Sequence, residues 1–470
     1  MNTFIQFVNR KHELNFLENQ IKKKAAFIVV YGRRRVGKSE LLKHFIKNKK
    51  AIYLLGTQEV EKELASYFSK ELASHFQDDA LKSNPFSRFS QILEFLGKKE
   101  LGDTILVIDE FPYLVDSNKA IPSMIQKYWD EHLKAKGLTL ILCGSSIGAM
   151  ESEVLGRKSP LYGRRTGQWK LDPLPFRDFI KFFPKTKFST LIEFYSLSGG
   201  IPLYILELDP KKSPYENARE AMASRGSILY QEVDIILKEE LREPKTYFSI
   251  LREINAGRTT INEISNAIGI ERTAIVRYMD TLIDLDLIEA IKPVTAKEKS
   301  RKTIYSLKDN YFKFWFRFVY PFRKSLDSFR FERFDVNLRQ NFNSYVGRQF
   351  EQVCSETVKL VNPIGDAEVG RWWGSYREDG ERKTAEIDIV ALNPETKTIL
   401  FGECKWQDKV DPNMILDKLR SKARLLEWNQ GKRNEVYVIF AKSFRKKLKQ
   451  KDVLLFDLEG IEREVKRNPS

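Results

Sequence analysis

Apolar positions fall in two rhythms along this chain. The run "AFIVVYG", ending at Gly32, is continuously apolar and β-rich, which predicts a strand buried on both faces of a parallel sheet. Beyond "GRRRVGKS" the segment "SELLKHFI" changes to helical spacing. "TILVIDEF" (Thr104 to Phe111) and "LTLILCGSS" (Leu138 to Ser146) predict two more buried strands, the first turning acidic at Asp109 and Glu110, the second ending in small hydroxyl residues. From about Thr246 the pattern predicts short helices: "YFSILREI", "TINEISNAIGI" and "ERTAIVRYMDTLIDLDLI". In the last of these Ile275, Met279, Leu282 and Leu285 define one core-facing stripe, which leaves Arg272, Thr273 and Arg277 outward. Thr260 and Asn262 offer N-caps, and Gly269 lies in the turn between the second and third helices. "LIEAIKP" and "KTIYSLK" then read as strands flanking the charged "TAKEKSRK".

Between Asp309 and Phe334 aromatics crowd in "NYFKFWFRFVYPF", interleaved with Lys and Arg. Such a stripe can stack on bases, but its helical spacing favours burial against a neighbouring domain. In "FNSYVGRQFEQVCSETV", Phe342, Val346, Phe350 and Val353 predict a core-facing helix with Glu351 beside that face. "AEIDIVAL" alternates as a strand, Asp388 pointing away from Ile387 and Ile389, and "TILFGECKW" is the next strand, with Glu403 and Lys405 on one side. A turn at "NPETK" pairs the two and brings Asp388 alongside Glu403 and Lys405. A helix, "DPNMILDKLRSKARLLEW", and a strand, "EVYVIFA", follow.

Two stretches carry chemistry. Strand, "GRRRVGKS" and helix in that order are the context in which a glycine-rich loop cradles phosphate. Gly32 and Gly37 let backbone N–H groups turn inward, the helix N-terminus adds positive potential, Lys38 reaches the β- and γ-phosphates, and Ser39 offers a hydroxyl to Mg²⁺. The expected nucleotide-binding stretch is Gly32, Arg33, Arg34, Arg35, Val36, Gly37, Lys38, Ser39 and Glu40. Asp109 at a strand tip is expected to hold the Mg²⁺ shell and Glu110 to polarise the attacking water, with Ser145 or Ser146 sensing the γ-phosphate. In the second stretch two carboxylates and a lysine suit phosphodiester hydrolysis, with hard oxygens for Mg²⁺ and an ammonium for developing charge. Glu351, Asp388 and Glu403 are the expected metal ligands, and Asp388, Glu403 and Lys405 the catalytic set.

Composition narrows the setting. The 470 residues, 42% of them hydrophobic, suffice for several cores, and 80 Lys and Arg against 64 Asp and Glu leave a formal charge of +16. That excess favours phosphate-rich partners. Cys143, Cys354 and Cys404 are far apart in sequence, which argues against a disulfide framework or a zinc site and for a reducing cytoplasm. No signal-type N-terminus or membrane-length apolar run is present, so a soluble protein is expected.

With these residues in view, "FVNRKHELNFL", the phosphate loop, "VIDEF", "CGSS", "SPLYGRRTG" and "SGGIPLYI" resemble, in fixed order, the archaeal-type ATPases of the STAND branch near AAA+ proteins. The resemblance covers roughly the first half of the chain. It places Arg10 and Glu13 near the adenine, with Asn9 where that family usually has glycine. It also makes Arg164 or Arg165 a charge-stabilising finger and Pro202 a lid contact to nucleotide. The middle segment resembles a winged helix, whose third helix would enter the DNA major groove with the basic wing on phosphates. Residues of about 340 to 445 resemble the PD-(D/E)xK, restriction-endonuclease-like fold, although the usual proline before the acidic residue is missing. By that resemblance Asp388, Glu403, Lys405 and the helix glutamate Glu351 form the site.

The expected protein is therefore α/β throughout. A P-loop NTPase parallel sheet with a helical lid spans 1–235, a winged helix-turn-helix 240–310, an aromatic-rich connector 311–340, and an α/β/α restriction-endonuclease-like domain 341–470. ATP and Mg²⁺ are its expected cofactors and DNA its expected partner, with a second copy or another protein also in reach and no membrane. The expected function is an ATP-hydrolysing switch carrying a nuclease-like domain. The alternative is an ATP-dependent DNA- or protein-binding regulator whose C-terminal domain does not cleave.

Overall fold

The computed structural model describes residues 7–297, 300 and 302–467. Its chain clusters into two compact units, Met1–Pro173 with Ile201–Leu203, and Leu174–Gly200 with Tyr204–Ser470.

The first unit is built on a five-stranded sheet, parallel throughout, of β1 (Ala26–Tyr31), β2 (Ala51–Leu55), β3 (Ile105–Asp109), β4 (Thr139–Gly144) and β5 (Gly167–Lys170), in the order β2-β3-β4-β1-β5. The unbroken apolar run of β1 has its reason here, because its side chains alternate between two cores. Phe27 and Val29 join the cluster that holds Trp129, Leu64 and Ile125. Ala26, Ile28 and Val30 join the one with Leu17, Leu41, Leu42 and Phe45, from the helices Lys11–Ile21 and Lys38–Ile46. Each of the larger side chains among them contributes about 1.5–3 kcal/mol when taken out of water. Parallel strands point all their C-terminal ends one way, so the loop after β1, the acidic end of β3 and the serines after β4 share one edge.

In the second unit, Leu174–Gly200 packs as part of the C-terminal half rather than with the sheet just described. Phe176 and Phe179 each meet the Tyr195 ring edge to face, and the Phe176 backbone N–H donates to Glu356 at 2.8 Å. Next come the helices Pro244–Asn255, Ile261–Ile268 and Arg272–Asp284, and an antiparallel pair of β6 (Ile288–Ile291) and β7 (Ile304–Leu307). Thr260 caps Ile261–Ile268 in a reciprocal box with Glu263. Asn262, expected as a second cap, is instead inside the helix, because Thr260 already occupies the extended position one residue before the first turn. Ile275, Met279, Leu282 and Leu285 are buried, and Arg272, Thr273 and Arg277 are exposed. Of the basic segment between β6 and β7, residues 298, 299 and 301 lie outside the described residues.

The aromatic stretch is core. Tyr311, Phe312, Phe314, Trp315 and Phe318 are fully buried, and the Trp315 indole N–H donates to the Tyr230 carbonyl at 3.0 Å. After the long helix Glu332–Val361 comes a mixed sheet of β8 (Glu368–Glu378), β9 (Glu381–Asn393), β10 (Thr398–Lys405), β11 (Asn434–Ala441) and β12 (Val453–Phe456), ordered β12-β11-β10-β9-β8. β8, β9 and β10 pair antiparallel, while β10, β11 and β12 run parallel. Helix Pro412–Ala423 packs Ile415, Leu416 and Leu419 against Ile387, Phe401 and Ile439. Helix Glu332–Val361 meets β8, β9 and β10, with the Phe350 ring 5.1 Å from that of Trp406. No helix among the described residues is long and apolar enough to cross a membrane.

Candidate functional sites

At the edge of the parallel sheet, the loop leaves β1 through Gly32, whose φ of 149° and close approach to the backbone both exclude a side chain. A Cβ there would lie 2.5 Å from the Leu171 carbonyl oxygen. The loop ends at Gly37, left-handed with φ 94°, which caps Lys38–Ile46, so the first turn of that helix is aimed at the loop's concavity. Its backbone donors and the ammonium of Lys38 make a cradle for phosphate oxygens. Lys38 is buried and donates to the carbonyls of Gly32 at 3.0 Å and Arg33 at 2.9 Å. Burial pushes its pKa down, and the charges of Glu110 and Asp109 oppose that shift.

Asp109 is fully buried at the tip of β3. Burial alone would raise its pKa, but hydrogen bonds from Cys143, Ser39, Tyr53 and the Glu110 backbone N–H outweigh it and keep the carboxyl below its ordinary value. Ser39 and Asp109 thus meet, as hydroxyl and carboxylate oxygens of the hard kind that Mg²⁺ prefers. Glu110 adopts a left-handed conformation, and its Oε2 accepts from the Ser145 hydroxyl at 2.7 Å and the Ser145 backbone N–H at 3.2 Å. Ser145, rather than Ser146, is therefore the serine that meets the acidic pair.

Other expected residues differ in where they sit. Arg10 braces the loop itself, donating to the Val36 carbonyl at 3.0 Å and the Asp172 carbonyl at 2.8 Å, with Glu13 at 3.0 Å. Asn9, with φ 58°, takes the left-handed turn before it that a glycine would take, a conformation asparagine tolerates well. Pro202 lies against the loop, its Cγ 3.7 Å from where a Cβ on Gly37 would stand. Arg34 donates to the Tyr113 hydroxyl at 3.0 Å. Arg164 holds Asp130 at 2.9 Å together with the carbonyls of Pro160 and Tyr162. Arg165 donates to the Leu155 carbonyl at 3.1 Å and covers the Tyr162 ring. Tyr53, which donates to Asp109, escaped the sequence reading because its short strand "AIYLL" did not stand out as β2.

The second cluster is placed by strand pairing. Gly402 pairs with Ile389 as the last pair of the antiparallel β9–β10 ladder, and Glu403 and Asp388 follow just beyond it, near enough for the charge of one to act on the other. Between Gly370 and Trp372 the β8–β9 register shifts, because β9 spends three steps from Val390 to Ile387 where β8 spends two. Asp388 is in that bulge, a device that re-aims a side chain. Its Oδ2 accepts from the Cys404 backbone N–H at 2.8 Å. Burial and the charge of Glu403 raise its pKa, while that N–H, Lys405 and Lys422 oppose them. Glu403 is buried, and each of its oxygens carries a lysine: Lys405 Nζ on Oε1 at 2.6 Å and Lys422 Nζ on Oε2 at 2.9 Å. For Lys405 burial lowers the pKa, but the bond and charge of Glu403, with the charge of Asp388, win and keep it protonated.

Glu351 is paired with Arg371 at 2.9 Å. Among the described residues no group of three or more His, Cys, Asp and Glu side chains is placed to hold a metal ion. The expected three-carboxylate set of Glu351, Asp388 and Glu403 is thus corrected to a facing pair, since the long helix hands Glu351 to an arginine on β8. Two hard carboxylates suffice for Mg²⁺ when water and substrate phosphate complete its shell, so the pair fits that ion. Beside it opens a cleft of about 600 Å³ lined by Tyr376, Thr384, Glu386, Asp388, Ser421 and Lys422. Glu386 and Lys422 were not singled out from sequence. Glu386 was passed over as an ordinary polar position in "AEIDIV", and Lys422 lies on a helix with no motif spacing to Glu403.

Residues 7–208 match a family of ATPase domains predominantly from Archaea, and residues 315–417 match a family described as archaeal and bacterial proteins of unknown function. An uncharacterised protein of Methanocaldococcus jannaschii is 35% identical over 97% of this chain and 100% of its own length. An uncharacterised ATP-binding protein of the same organism is 57% identical over 47 residues, 10% of this chain and 80% of its own. Among solved structures, the Walker-type ATPase of Pyrococcus abyssi is similar at TM-score 0.44 and 20% identity, covering 66% of this chain and 96% of that one.

Proposed function

The chain belongs to the family of ATPase domains found predominantly in Archaea and is a nucleotide-binding ATPase; from that premise we propose that ATP turnover in its first unit controls a DNA-binding, metal-dependent nuclease in its second. In this reading Lys38 and the N–H groups of the loop hold the β- and γ-phosphates, and Arg10 and Pro202 keep the loop in shape. Mg²⁺, held through Ser39 and Asp109, would neutralise charge on the phosphates. Glu110 orients and polarises the attacking water once Ser145 releases it. Arg164 and Arg165 supply charge to the γ-phosphate only after leaving Asp130 and the carbonyls they now hold.

The three helices and the β6–β7 pair of residues 244–307 have the order of a winged helix. Exposed Arg272, Thr273 and Arg277 on its third helix are the proposed base and phosphate contacts.

One observation carries the nuclease reading: just beyond the last β9–β10 pair, Asp388 lies within reach of the Glu403 charge, and Lys405 is bonded to Glu403. A divalent ion held by Asp388 and Glu403 would polarise the phosphorus and activate water. Lys405, held protonated, stabilises charge on the departing oxygen rather than acting as a base. Glu351, beside Asp388 and Lys405, shapes the local potential without joining the metal set.

The test is cleavage of supercoiled and single-stranded DNA with Mg²⁺ or Mn²⁺, with and without ATP, by wild type and Asp388→Ala. Cleavage that requires Asp388 and responds to ATP supports the whole reading. DNA binding and ATPase activity without cleavage would leave a regulator in its place.

A further inference from the structure

Each oxygen of Glu403 already carries an ammonium, so a metal ion would have to compete for it. Lys405 holds one and Lys422 the other, at 2.6 and 2.9 Å. The two lysines differ in kind. Lys405 is two residues away on the same strand and also feels the charge of Asp388. Lys422 reaches across from the last turn of helix Pro412–Ala423 and lines the cleft beside Asp388. Both lysine side chains are 30% exposed where that of Glu403 is 10%, so what sets Lys422 apart is its helix and its place in the cleft lining. An ammonium on a four-carbon stem with one end in an open cleft can change partners at small cost. A divalent ion approaching the same oxygen would meet that ammonium's charge directly, so each weakens the other's hold on it.

We propose that Lys422 is an exchange residue: it occupies the Glu403 oxygen that the metal needs, and on loading it leaves for the phosphodiester of a nucleic-acid strand in the cleft. This rests on the nuclease-type reading of the site. The exchange makes metal and substrate mutually supportive, because the phosphate offers the displaced ammonium a new anionic partner next to the ion. Without a strand in the cleft, Lys422 competes with the metal. With one, it helps to hold the substrate. Metal loading is thereby biased toward the nucleic-acid complex, which restrains idle metal chemistry at a buried carboxylate pair.

The experiment uses full-length, nucleotide-free protein as wild type, Lys422→Gln, Lys422→Arg and Asp388→Asn. Mn²⁺ binding is measured by calorimetry without DNA, and the binding step lost in Asp388→Asn marks this site. KM and kcat are then measured on a DNA oligonucleotide, with and without added ATP. Lys422→Gln should bind Mn²⁺ about tenfold more tightly without DNA, because a like charge beside the ion is gone, yet show a KM raised about tenfold with kcat changed much less. Lys422→Arg, which keeps the charge, should restore most of the KM. Tighter metal binding with weaker substrate binding is a pairing that a purely structural lysine does not produce. If wild type shows the Asp388-dependent metal step but Lys422→Gln leaves it unchanged or weakens it, the exchange is wrong and the nuclease reading stands. If neither protein shows that step and neither cleaves, the nuclease reading fails and the inference falls with it.

Discussion

Asp109 and Asp388 are both strand aspartates near a lysine, yet their surroundings differ at every level. Asp109 ends a strand in an all-parallel sheet, is fully buried, and is held in its charged form by hydroxyl, thiol and backbone donors. Asp388 is in a bulge of a mixed sheet and half-buried, with its pKa raised by burial and by the facing Glu403. Around Asp109 the preorganising donors carry no net charge, so an ion arriving at that carboxylate meets neutral groups. At the second, charge is balanced by side-chain cations, Lys405, Lys422 and Arg371, and loading requires partners to be exchanged. A site of the first kind suits steady turnover, and one of the second suits conditional activity.

The contrast can be tested by removing what each site depends on. The largest effect is expected from Lys38→Ala, which should lower ATP hydrolysis about a thousandfold, measured as phosphate release. Because the second site keeps its own cations, Asp388-dependent Mn²⁺ binding should persist in that variant. Gly32→Ala comes next. Its Cβ would press on the Leu171 carbonyl, and backbone cannot yield as a flexible side chain would. The first unit should lose about 2–3 kcal/mol of stability in chemical denaturation.

A smaller and pH-dependent effect is expected at Glu351. Its carboxyl is pushed up to about 7, chiefly by burial and further by Asp388 and Glu386, against the pull of Arg371 and Lys405. A carboxyl whose folded pKa exceeds its unfolded value of 4.5 binds its proton more tightly in the folded state. Stability should therefore fall as pH rises from 4.5 to about 7 and stay level above that. Glu351→Gln should flatten this slope, a difference of about 1–2 kcal/mol between pH 5 and pH 7 in urea midpoints. An unchanged slope would mean that Arg371 fully compensates the charge, which would bring the second site closer to the first in character.

Much of this molecule is legible in local sequence. The continuous apolar runs of β1, β3 and β4 announce a parallel sheet, because a strand covered on both faces has no polar side to show. "GRRRVGKS" announces the loop, because only glycine serves where the backbone turns at Gly32 and Gly37. The two-residue spacing of Glu403 and Lys405 puts them on one side of a strand whatever that strand packs against. β2 was less legible, since five residues flanked by lysine and glycine carry little periodic signal, and Tyr53 was missed with it.

What sequence alone determined, then, are the features set by neighbours along the chain: strand, turn, helix cap and same-side pairs. Tertiary structure alone decided which distant charges meet. It gave Glu403 a second lysine from a helix nineteen residues on, handed Glu351 to Arg371, and tied Arg164 to Asp130. It also put the bulge under Asp388 and brought Tyr53 to Asp109. The physical reason is range. Backbone sterics and side-chain period act over a few residues, whereas an ion pair depends on the final few ångströms between elements, which only the packed core defines.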